Sequence, residues 1–476
     1  MKKSGKNIIL SLLAVLALSF AACSSDDDNS SSSSNGENPQ PQPKNTDIEV
    51  TSEEDLPFIN VLDEDFSAQN LLANRLFGAN SADDEELQTL DDMRNQVEQE
   101  ANELLSALNG SNDIIDLLNL TISKITVNYW SVDGKGQPIQ LSGDVYLPKA
   151  WGSYVDCEDI LLSCHPTALK DMMITMFSMR SHVADKVVVI EPHYIGFGET
   201  KNMSQTYLCQ KLIAQQCADM IPAAIKVLEQ KGAKLASNYG TYVAGYSQGG
   251  GNAFAVGRYL ETEASDEMKK LANLKKVICG AGPYDPMATF RYWLQTDRLS
   301  LTMVLPMVIK GMMEGHSDIM NGITLKSYFS DLYLSTGIVD EVDNHQLGLD
   351  LMLVDMSSEL ESIRLEKCEG SQMFYWMRFS GIMSDEVKDP NSHIRKALEE
   401  SMSMEVITDW VPTVPVVLFT STKDNVIPIE ANAQAAYNKM KAAGAKNVTL
   451  IMDDFGDHIA AQTKFFEYLT NQGYRE

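Results

Sequence analysis

From residue 123 onward, short apolar runs alternate with longer amphipathic segments. Residues 123–149 alternate apolar and polar positions around a Gly-rich turn, which predicts a β-hairpin. The later runs are continuously apolar and of strand length, which is typical of buried parallel strands, and helical patterns separate them. These runs lie at residues 159–165, 186–192, 241–247, 274–280, 414–420 and 447–453. The alternation predicts an α/β fold with a doubly wound, mostly parallel sheet.

One long segment, residues 285–410, interrupts this alternation. Its pattern is helical and rich in Met and aromatic residues, as in "SQMFYWMRFSGIM". A parallel sheet does not need so long a connection between consecutive strands, so we expect a separate helical subdomain there. Met side chains at helical spacing more often form a core, but beside an active site they also line adaptable apolar pockets. The predicted α/β core therefore comprises residues 123–284 and 411–476, with the helical insertion between them.

The first 122 residues have a different pattern. Residues 1–22 combine a basic start, a short apolar run and small residues, as a secretory signal peptide does. Residues 23–56 are polar and acidic and bury too little apolar surface to offset ordering entropy, so we expect a disordered tether. Residues 83–120 space their apolar positions by three and four, which predicts amphipathic helices within an N-terminal extension at residues 57–122.

The end of the signal resembles that of bacterial lipoproteins, with Phe20-Ala21-Ala22-Cys23 as the lipobox. The resemblance implies that Cys23 is lipidated and anchors the protein to a membrane. The alternative is an ordinary signal cleaved near Ala22. The acidic residues that follow resemble the export signal of surface-exposed lipoproteins in some Gram-negative bacteria. We therefore expect an outer-membrane lipoprotein exposed at the cell surface, with a periplasm-facing anchor as the alternative.

Charge and cysteine content exclude some functions. The 476-residue chain has a formal net charge of −28 and no basic cluster, which argues against nucleic-acid binding. Its cysteines include no CxxC pair that would suggest zinc, so we expect no metal and no cofactor. Apart from Cys23, most cysteines are expected to be small buried hydrophobic residues. These are Cys157, Cys164, Cys209, Cys217, Cys279 and Cys368.

The sequence Gly245-Tyr246-Ser247-Gln248-Gly249 is a GxSxG motif. So short a motif is weak alone, but its context fits a nucleophile elbow. An apolar strand enters it, glycines stand two positions before and after the serine, and a helical pattern follows. A phosphate-binding loop is disfavoured because neither a Gly-Lys-Ser/Thr end nor a GxGxxG pattern occurs. We therefore interpret Ser247 as a nucleophile.

A serine nucleophile needs a base to remove its proton and an acid to orient that base. Four histidines follow Ser247, and all but His458 fall in the helical insertion. His458 lies in a loop just past the last strand-like run, so it is the candidate base. Asp424 directly follows the run at residues 414–420 and is the favoured acid. Asp285, after the preceding strand, is the rival, and only geometry can choose between them.

The oxyanion of a tetrahedral intermediate needs preorganised N–H donors. One candidate is the backbone amide of Gln248, the residue after the nucleophile. The second is expected in the loop "HPTA", where Thr167 is favoured because Pro166 has no N–H. The candidates for the substrate pocket, each beside one of the loop motifs, are Tyr194, Tyr246 and Tyr284.

Together these motifs resemble the α/β-hydrolase superfamily, in its secreted lipase and esterase branch. The resemblance covers residues 125–472 and rests on "GYSQGG", "HPT", "EPHYIGFGET", "STKDNVIP" and "GDH". Two departures are Pro166, where Gly is usual in the oxyanion loop, and Glu191, where Asp is usual. The resemblance implies that the insertion at residues 285–410 is a lid or cap over the nucleophile.

We therefore expect a monomeric serine hydrolase that cleaves small-molecule or lipid esters of carboxylic acids through an acyl-enzyme. A serine peptidase or acyl-peptide hydrolase is an alternative, because the same fold and triad host both activities. A non-catalytic surface binding protein is a second alternative. It is disfavoured because inactive relatives usually lose a member of the triad, and all three are present here.

Overall fold

The computed structural model describes residues 44–57, 120–176, 179–371 and 374–475. The predicted signal peptide, the predicted lipidation site Cys23 and the predicted helices before residue 120 lie outside the described residues. None of the helices in the described part of the chain combines the length and the apolar character that a membrane-spanning helix needs.

A ten-stranded sheet forms the centre of the described chain. The strands of the protein are β1 (Glu49–Pro57), β2 (Leu120–Val132), β3 (Pro138–Ala150), β4 (Ser153–Tyr154), β5 (Asp159–Cys164), β6 (Val187–Pro192), β7 (Thr241–Tyr246), β8 (Leu274–Gly280), β9 (Arg364–Lys367), β10 (Tyr375–Met377), β11 (Val416–Ser421) and β12 (Val448–Asp453). The large sheet has the order β1-β2-β3-β6-β5-β7-β8-β11-β12 with β4 on β3, and β9 pairs only with β10. Pairing is antiparallel from β1 to β6 and parallel from β6 to β12. The predicted opening hairpin and mostly parallel sheet are thus confirmed.

Helices follow most of the parallel strands. They are α1 (Asp171–Met176), α2 (Gln210–Lys231), α3 (Gln248–Thr262), α4 (Asp266–Ala272), α5 (Pro286–Thr296), α6 (Val304–Gly315), α7 (Asp331–Leu334), α8 (Ile338–Asp343), α9 (Phe379–Ile382), α10 (Asp385–Lys388), α11 (His393–Met404), α12 (Ala433–Ala442) and α13 (His458–Gln472). Short 3-10 helices complete the set, among them Arg180–Asp185 before β6. From β5 to β8, and again from β11 onward, strands alternate with helical segments as the apolar pattern predicts.

Helices cover both faces of the sheet, as a doubly wound fold requires. On one face, α2, α3 and α12 pack into one hydrophobic cluster, to which they contribute Ile221, Phe254 and Met440. On the other face, Phe465 of α13 packs edge-on against Phe419 of β11, with ring centroids 5.7 Å apart. Because both faces are covered, the inner strands are apolar on both sides. All six residues of β6 are buried, for example.

The predicted tether is wrong in its last part. Residues 49–57 were expected to be disordered up to residue 56, but they form β1, which pairs antiparallel with β2 at the sheet edge. Ion pairs hold this acidic strand in place: Lys149 Nζ lies 2.7 Å from Asp55 Oδ1, and Glu53 contacts both Lys149 and Lys231. An edge strand faces solvent on one side, so its polar composition does not imply disorder. Strand β2 likewise begins at Leu120, inside the segment expected to be helical.

The insertion between β8 and β11 is built of short pieces. Several of its helices have four to six residues, and β9 and β10 form a small separate sheet. Its apolar side chains join the same hydrophobic cluster as the sheet. The Trp410 ring, for instance, packs edge-on against Phe254 of α3, with centroids 5.1 Å apart. The boundaries at residues 285 and 410, and the role of a lid, stay predictions.

Candidate active site

Ser247 occupies a strained turn between β7 and α3. Its φ of 57° and ψ of −122° are rare for a residue with a side chain and cost conformational energy. The Ser247 N–H donates to the Gly280 carbonyl oxygen at 2.8 Å, which ties the turn to the end of β8. The turn therefore projects one hydroxyl from the carboxyl edge of the parallel sheet, where such folds place their ligands.

The glycines around Ser247 are required by close backbone approach. A Cβ at Gly245 would collide with the backbone of Gly249, and one at Gly249 would collide with the Cys164 carbonyl. A Cβ at Gly250 would collide with the Gly280 carbonyl, and one at Gly251 with the side chain of a neighbouring helix. The glycine run thus lets the first turn of α3 lie directly on the strand ends.

The structure brings His458 and Asp424 to Ser247. His458 is the first residue of α13, after β12, and Asp424 lies in the turn after β11. His458 Nε2 lies 2.9 Å from Ser247 Oγ, and His458 Nδ1 lies 2.8 Å from Asp424 Oδ2. The side chains of His458 and Asp424 are buried, at 3% and 0% exposure. This is the relay geometry that allows the imidazole to take a proton from the hydroxyl.

Backbone amides fix the orientation of Asp424. Its Oδ1 accepts hydrogen bonds from the amides of Val426 and Ile427, both at 2.9 Å, which leaves Oδ2 to face His458. The rival acid, Asp285, has a different role. Its Oδ1 accepts from the Ala288 amide at 2.8 Å and caps α5. Of the two candidates, the geometry therefore selects Asp424.

Two further side chains position His458, and neither role was predicted. The Asn425 side-chain oxygen accepts from the His458 amide at 3.1 Å. The Tyr246 hydroxyl donates to the His458 carbonyl oxygen at 2.7 Å. Tyr246 is the last residue of β7, and its ring packs against Phe465 of α13, with centroids 5.5 Å apart. Tyr246 therefore fixes the backbone of His458 from below.

A pocket with about 590 Å³ of empty space, part of it open to solvent, lies over Ser247. Thr167, Ser247 and Gln248 contribute polar atoms to its wall, and most other lining residues are apolar. Much of this apolar lining comes from the insertion. These side chains are Trp293, Leu301, Val304, Val308 and Met402. The pocket thus resembles a small-molecule site, with few polar groups in an apolar surround.

The three tyrosines predicted to line the pocket do not do so. Tyr194, Tyr246 and Tyr284 are 3%, 1% and 0% exposed, and none belongs to the pocket wall. Tyr194 stacks on the His165 ring at 3.9 Å and donates to the His165 carbonyl oxygen. Tyr284 donates to the Cys279 carbonyl oxygen at 3.2 Å. A loop motif predicts position along the chain but not the direction of a side chain, which explains the error.

Tyr207 lines the pocket instead, although it belongs to no motif that would have predicted this position. Its hydroxyl lies 2.6 Å from Thr167 Oγ1. This contact holds the loop after β5 beside the nucleophile. Thr167 therefore lines the same pocket as Ser247, and its role as an oxyanion donor stays a prediction.

The two candidate oxyanion amides are available for a ligand. Gln248 is the first residue of α3, so its N–H has no acceptor within the helix. Among the described residues, the Thr167 N–H likewise has no hydrogen-bond acceptor. Both residues line the pocket with Ser247. The arrangement can present two donors to a developing negative charge.

A second Ser–His–Asp set lies elsewhere, on β3 and the loop after β6. His193 Nδ1 lies 3.2 Å from Ser142 Oγ, and His193 Nε2 lies 3.0 Å from Asp144 Oδ2. Lys124 Nζ lies 3.1 Å from the same carboxylate oxygen. Burial acts to raise the pKa of Asp144, but His193 and Lys124 outweigh it and hold this pKa below its ordinary value. Burial acts to lower the pKa of His193, but the charge of Asp144 outweighs it, so the pKa is raised.

The cysteines of the described residues are all buried, as predicted for most of them, and none of them forms a disulfide. One of them, Cys209, lies beside His316 and Glu405, and the three could each offer one ligand atom to a metal ion. We expected no metal from the sequence, because Cys209, His316 and Glu405 do not belong to one metal-binding motif. No other such group of three occurs among residues 44–57, 120–176, 179–371 and 374–475.

Comparisons with known proteins agree with this architecture. The model of the secretory lipase family matches residues 360–465. The rice cell wall degrading esterase LipA from Xanthomonas oryzae has a similar structure, with 18% identity and a TM-score of 0.57, over 75% of this chain and 89% of that chain. Lipase A from Candida antarctica is 12% identical with a TM-score of 0.47, over 71% of this chain and 73% of that chain. No curated protein matches the sequence.

Proposed function

Since this chain has the α/β-hydrolase fold, we propose that it is a serine hydrolase that cleaves carboxylic esters through an acyl-enzyme. The observation that carries the proposal is the hydrogen-bonded set of Ser247, His458 and Asp424 beside an apolar pocket. The match to the secretory lipase family supports ester bonds as the target.

The first half of the reaction forms the acyl-enzyme. His458 Nε2 takes the proton of Ser247 as its Oγ attacks the acyl carbon. Asp424 keeps the imidazole in the required orientation and stabilises the positive charge that forms on it. The amides of Gln248 and Thr167 stabilise the oxyanion. His458 then donates the proton to the leaving alcohol, and Ser247 retains the acyl group.

The second half repeats the steps with water. His458 takes a proton from a water molecule as that water attacks the acyl carbon. The tetrahedral intermediate collapses when the bond to Ser247 Oγ breaks and His458 returns the proton to it. The products are a carboxylic acid and a restored nucleophile. Each step needs only the residues already at the site.

The pocket lining favours an ester with an apolar part over a peptide. Apart from Thr167, Thr289 and the catalytic turn, the wall is formed mainly by apolar and aromatic side chains, and none of the described residues that line it is charged. A peptidase that reads a charged terminus would need a counter-charge there. An apolar acyl or alcohol group requires none. A peptidase on the same triad remains the second candidate only through the shared fold.

The insertion supports the idea of a cap. Side chains of α5 and α6 stand in the same pocket wall as Ser247, and Met402 of α11 joins them. Substrate would therefore contact the insertion while its acyl carbon lies at the nucleophile. A helical cap that sets specificity would have this placement.

Export is part of the proposal. The secretory lipase match agrees with an exported protein. Lipidation at Cys23, attachment to the outer membrane at the cell surface, and a monomeric state remain predictions from the sequence.

Ester hydrolysis can be tested with p-nitrophenyl esters of increasing acyl length. The purified protein should release p-nitrophenol, and Ser247→Ala should lower kcat by at least about ten-thousand-fold. Ser142→Ala is the matched control, because Ser142 also contacts a histidine but does not line the pocket. Its kcat should stay within about twofold of the wild type. Unchanged activity in Ser247→Ala would refute the proposal.

A fluorophosphonate probe separates an enzyme from a binding protein without knowledge of the substrate. The probe reacts only with an activated serine hydroxyl, so it should label Ser247 in the wild type and nothing in Ser247→Ala. Absence of labelling in a folded wild-type protein would favour the non-catalytic alternative.

A further inference from the structure

We propose that Cys209, His316 and Glu405 bind a zinc ion behind the wall of the pocket. Their ligand atoms, one sulfur, one nitrogen and one oxygen, all lie within 4.8 Å of one another. Zinc takes this mixture of donors, whereas calcium and magnesium take oxygen donors almost alone. Three protein ligands leave a fourth position for water.

The distances need only a small adjustment. Zinc–ligand bonds of about 2.0–2.3 Å place neighbouring donor atoms of a tetrahedron about 3.3–3.7 Å apart. His316 Nε2 and Glu405 Oε1 are now hydrogen-bonded at 2.7 Å, so they must separate by less than about 1 Å. Cys209 Sγ points toward the same region and donates to the Gly311 carbonyl oxygen at 3.1 Å.

The surroundings hold two of the ligands in place. The Lys211 amide donates to Glu405 Oε2 at 3.0 Å, so Oε1 is the oxygen that faces His316. Such outer contacts orient ligands in metal sites. Gly315, next to His316, is the second sign of a close fit. A Cβ on Gly315 would collide with Cys209 Sγ, so only glycine lets the sulfur approach this turn.

The charges balance when the metal is bound. The Cys209 thiol loses its proton to solvent and becomes a thiolate, and the carboxylate of Glu405 supplies a second negative charge. One Zn²⁺ neutralises both, while His316 binds as neutral imidazole. Cys209 and Glu405 are 1% and 2% exposed, so an uncompensated pair of negative charges would be unfavourable there. The C-termini of α6 and α11 also meet here and favour a cation, while the N-terminus of α2, directly after Cys209, favours a thiolate.

The site would join the α/β core to the insertion. Cys209 directly precedes α2, His316 directly follows α6, and Glu405 directly follows α11. Each of these segments also supplies a pocket residue: Leu208, Val308 and Met402. Zinc would therefore fix the walls of the pocket relative to one another without contact to Ser247.

Metal binding can be measured directly. The purified protein, stripped with a chelator, should bind one Zn²⁺ per chain in a calorimetric titration. Co²⁺ in place of zinc should give the near-ultraviolet absorption of a cobalt–thiolate bond. Cys209→Ser should abolish this absorption and weaken Zn²⁺ binding by at least about tenfold. Zinc should raise the Tm of the wild type and not that of Cys209→Ser.

Two controls make the outcome specific. Cys157→Ser changes another buried, unpaired cysteine and should bind zinc like the wild type. Ser247→Ala should also bind zinc normally, so the result does not depend on the proposed hydrolase activity. If Cys209→Ser fails to fold, Glu405→Gln replaces it, because glutamine keeps an acceptor for the Lys211 amide. No stoichiometric binding by the wild type, or equal binding by the ligand variants, would overturn the proposal.

Discussion

The described residues contain two Ser–His–Asp sets with similar hydrogen-bond distances. In the first, the contacts of His458 with Ser247 and Asp424 measure 2.9 and 2.8 Å. In the second, the contacts of His193 with Ser142 and Asp144 measure 3.2 and 3.0 Å. Residue types and distances alone therefore do not distinguish an active site from a structural cluster.

Access and strain distinguish the two sets. Ser247 lies at the pocket on a turn with positive φ. It directly precedes α3, whose first N–H groups have no acceptor within the helix. Ser142 lies within β3, is 3% exposed, and its Oγ accepts the Glu199 amide at 3.1 Å. The imidazole is also reversed, since Nδ1 of His193 faces the serine. A hydroxyl that is buried and already bonded has no room for an acyl group, so the second set stabilises the fold.

The largest expected effects come from the two aspartates. Asp424→Asn should lower kcat by about ten-thousand-fold, because the amide favours the wrong tautomer of His458. Asp144→Asn should lower the free energy of unfolding by about 3 kcal/mol, because it breaks a buried ion pair with His193. Steady-state kinetics and urea unfolding of both variants measure the two effects.

Each aspartate variant is the control of the other. Folded Asp144→Asn should keep kcat within about twofold of the wild type. A loss of activity as large as that of Asp424→Asn, in a protein that remains folded, would show that the second set takes part in the reaction.

A pH series sharpens the contrast further. Folding lowers the pKa of Asp144. Its carboxylate therefore contributes to the free energy of unfolding above about pH 3.9, and this contribution decreases as the pH falls below that value. Folding raises the pKa of His193. Its contribution to the free energy of unfolding is therefore full below about pH 6.5 and is lost as the pH rises through the pKa of the folded state. The stability difference between wild type and Asp144→Asn should therefore be greatest between these limits.

Urea unfolding across this pH range measures that difference. Each proton changes the free energy of unfolding by at most about 1.4 kcal/mol per pH unit. Besides His193, Lys124, Thr126 and the Tyr146 hydroxyl act on Asp144, and Glu191 and Lys124 act on His193. A difference that stays constant with pH would contradict an ion pair at this position.

The smallest expected effect concerns Tyr246. Tyr246→Phe removes the hydrogen bond to the His458 carbonyl and should lower kcat/KM by about tenfold and stability by about 1 kcal/mol. Tyr284→Phe is the matched control, since this buried hydroxyl also donates to a backbone carbonyl oxygen, that of Cys279 instead of His458. Equal losses of activity in the two variants would argue against a positioning role for Tyr246.

Local patterns predicted most of the fold. Strands buried on both faces are continuous apolar runs, and β5, β6, β7 and β8 all begin within about two residues of such a run. Ser247, Asp424 and His458 each follow a parallel strand, so their loops meet at one edge of the sheet. Strand β1 could not be predicted, because its partners Lys149 and Lys231 are distant in sequence. The direction of Tyr194, Tyr246 and Tyr284 depended on packing and was predicted wrongly.

By itself the sequence determined the opening hairpin, the inner parallel strands and the serine that lies on the strained turn, because strand, glycine and helix signals are local. Only the tertiary structure decided that Asp424 rather than Asp285 faces His458. It also brought His316 to Glu405, across 89 residues, and His193 to Asp144, across 49. Contacts of this kind depend on how whole elements pack, and no local pattern of apolar and polar residues encodes them.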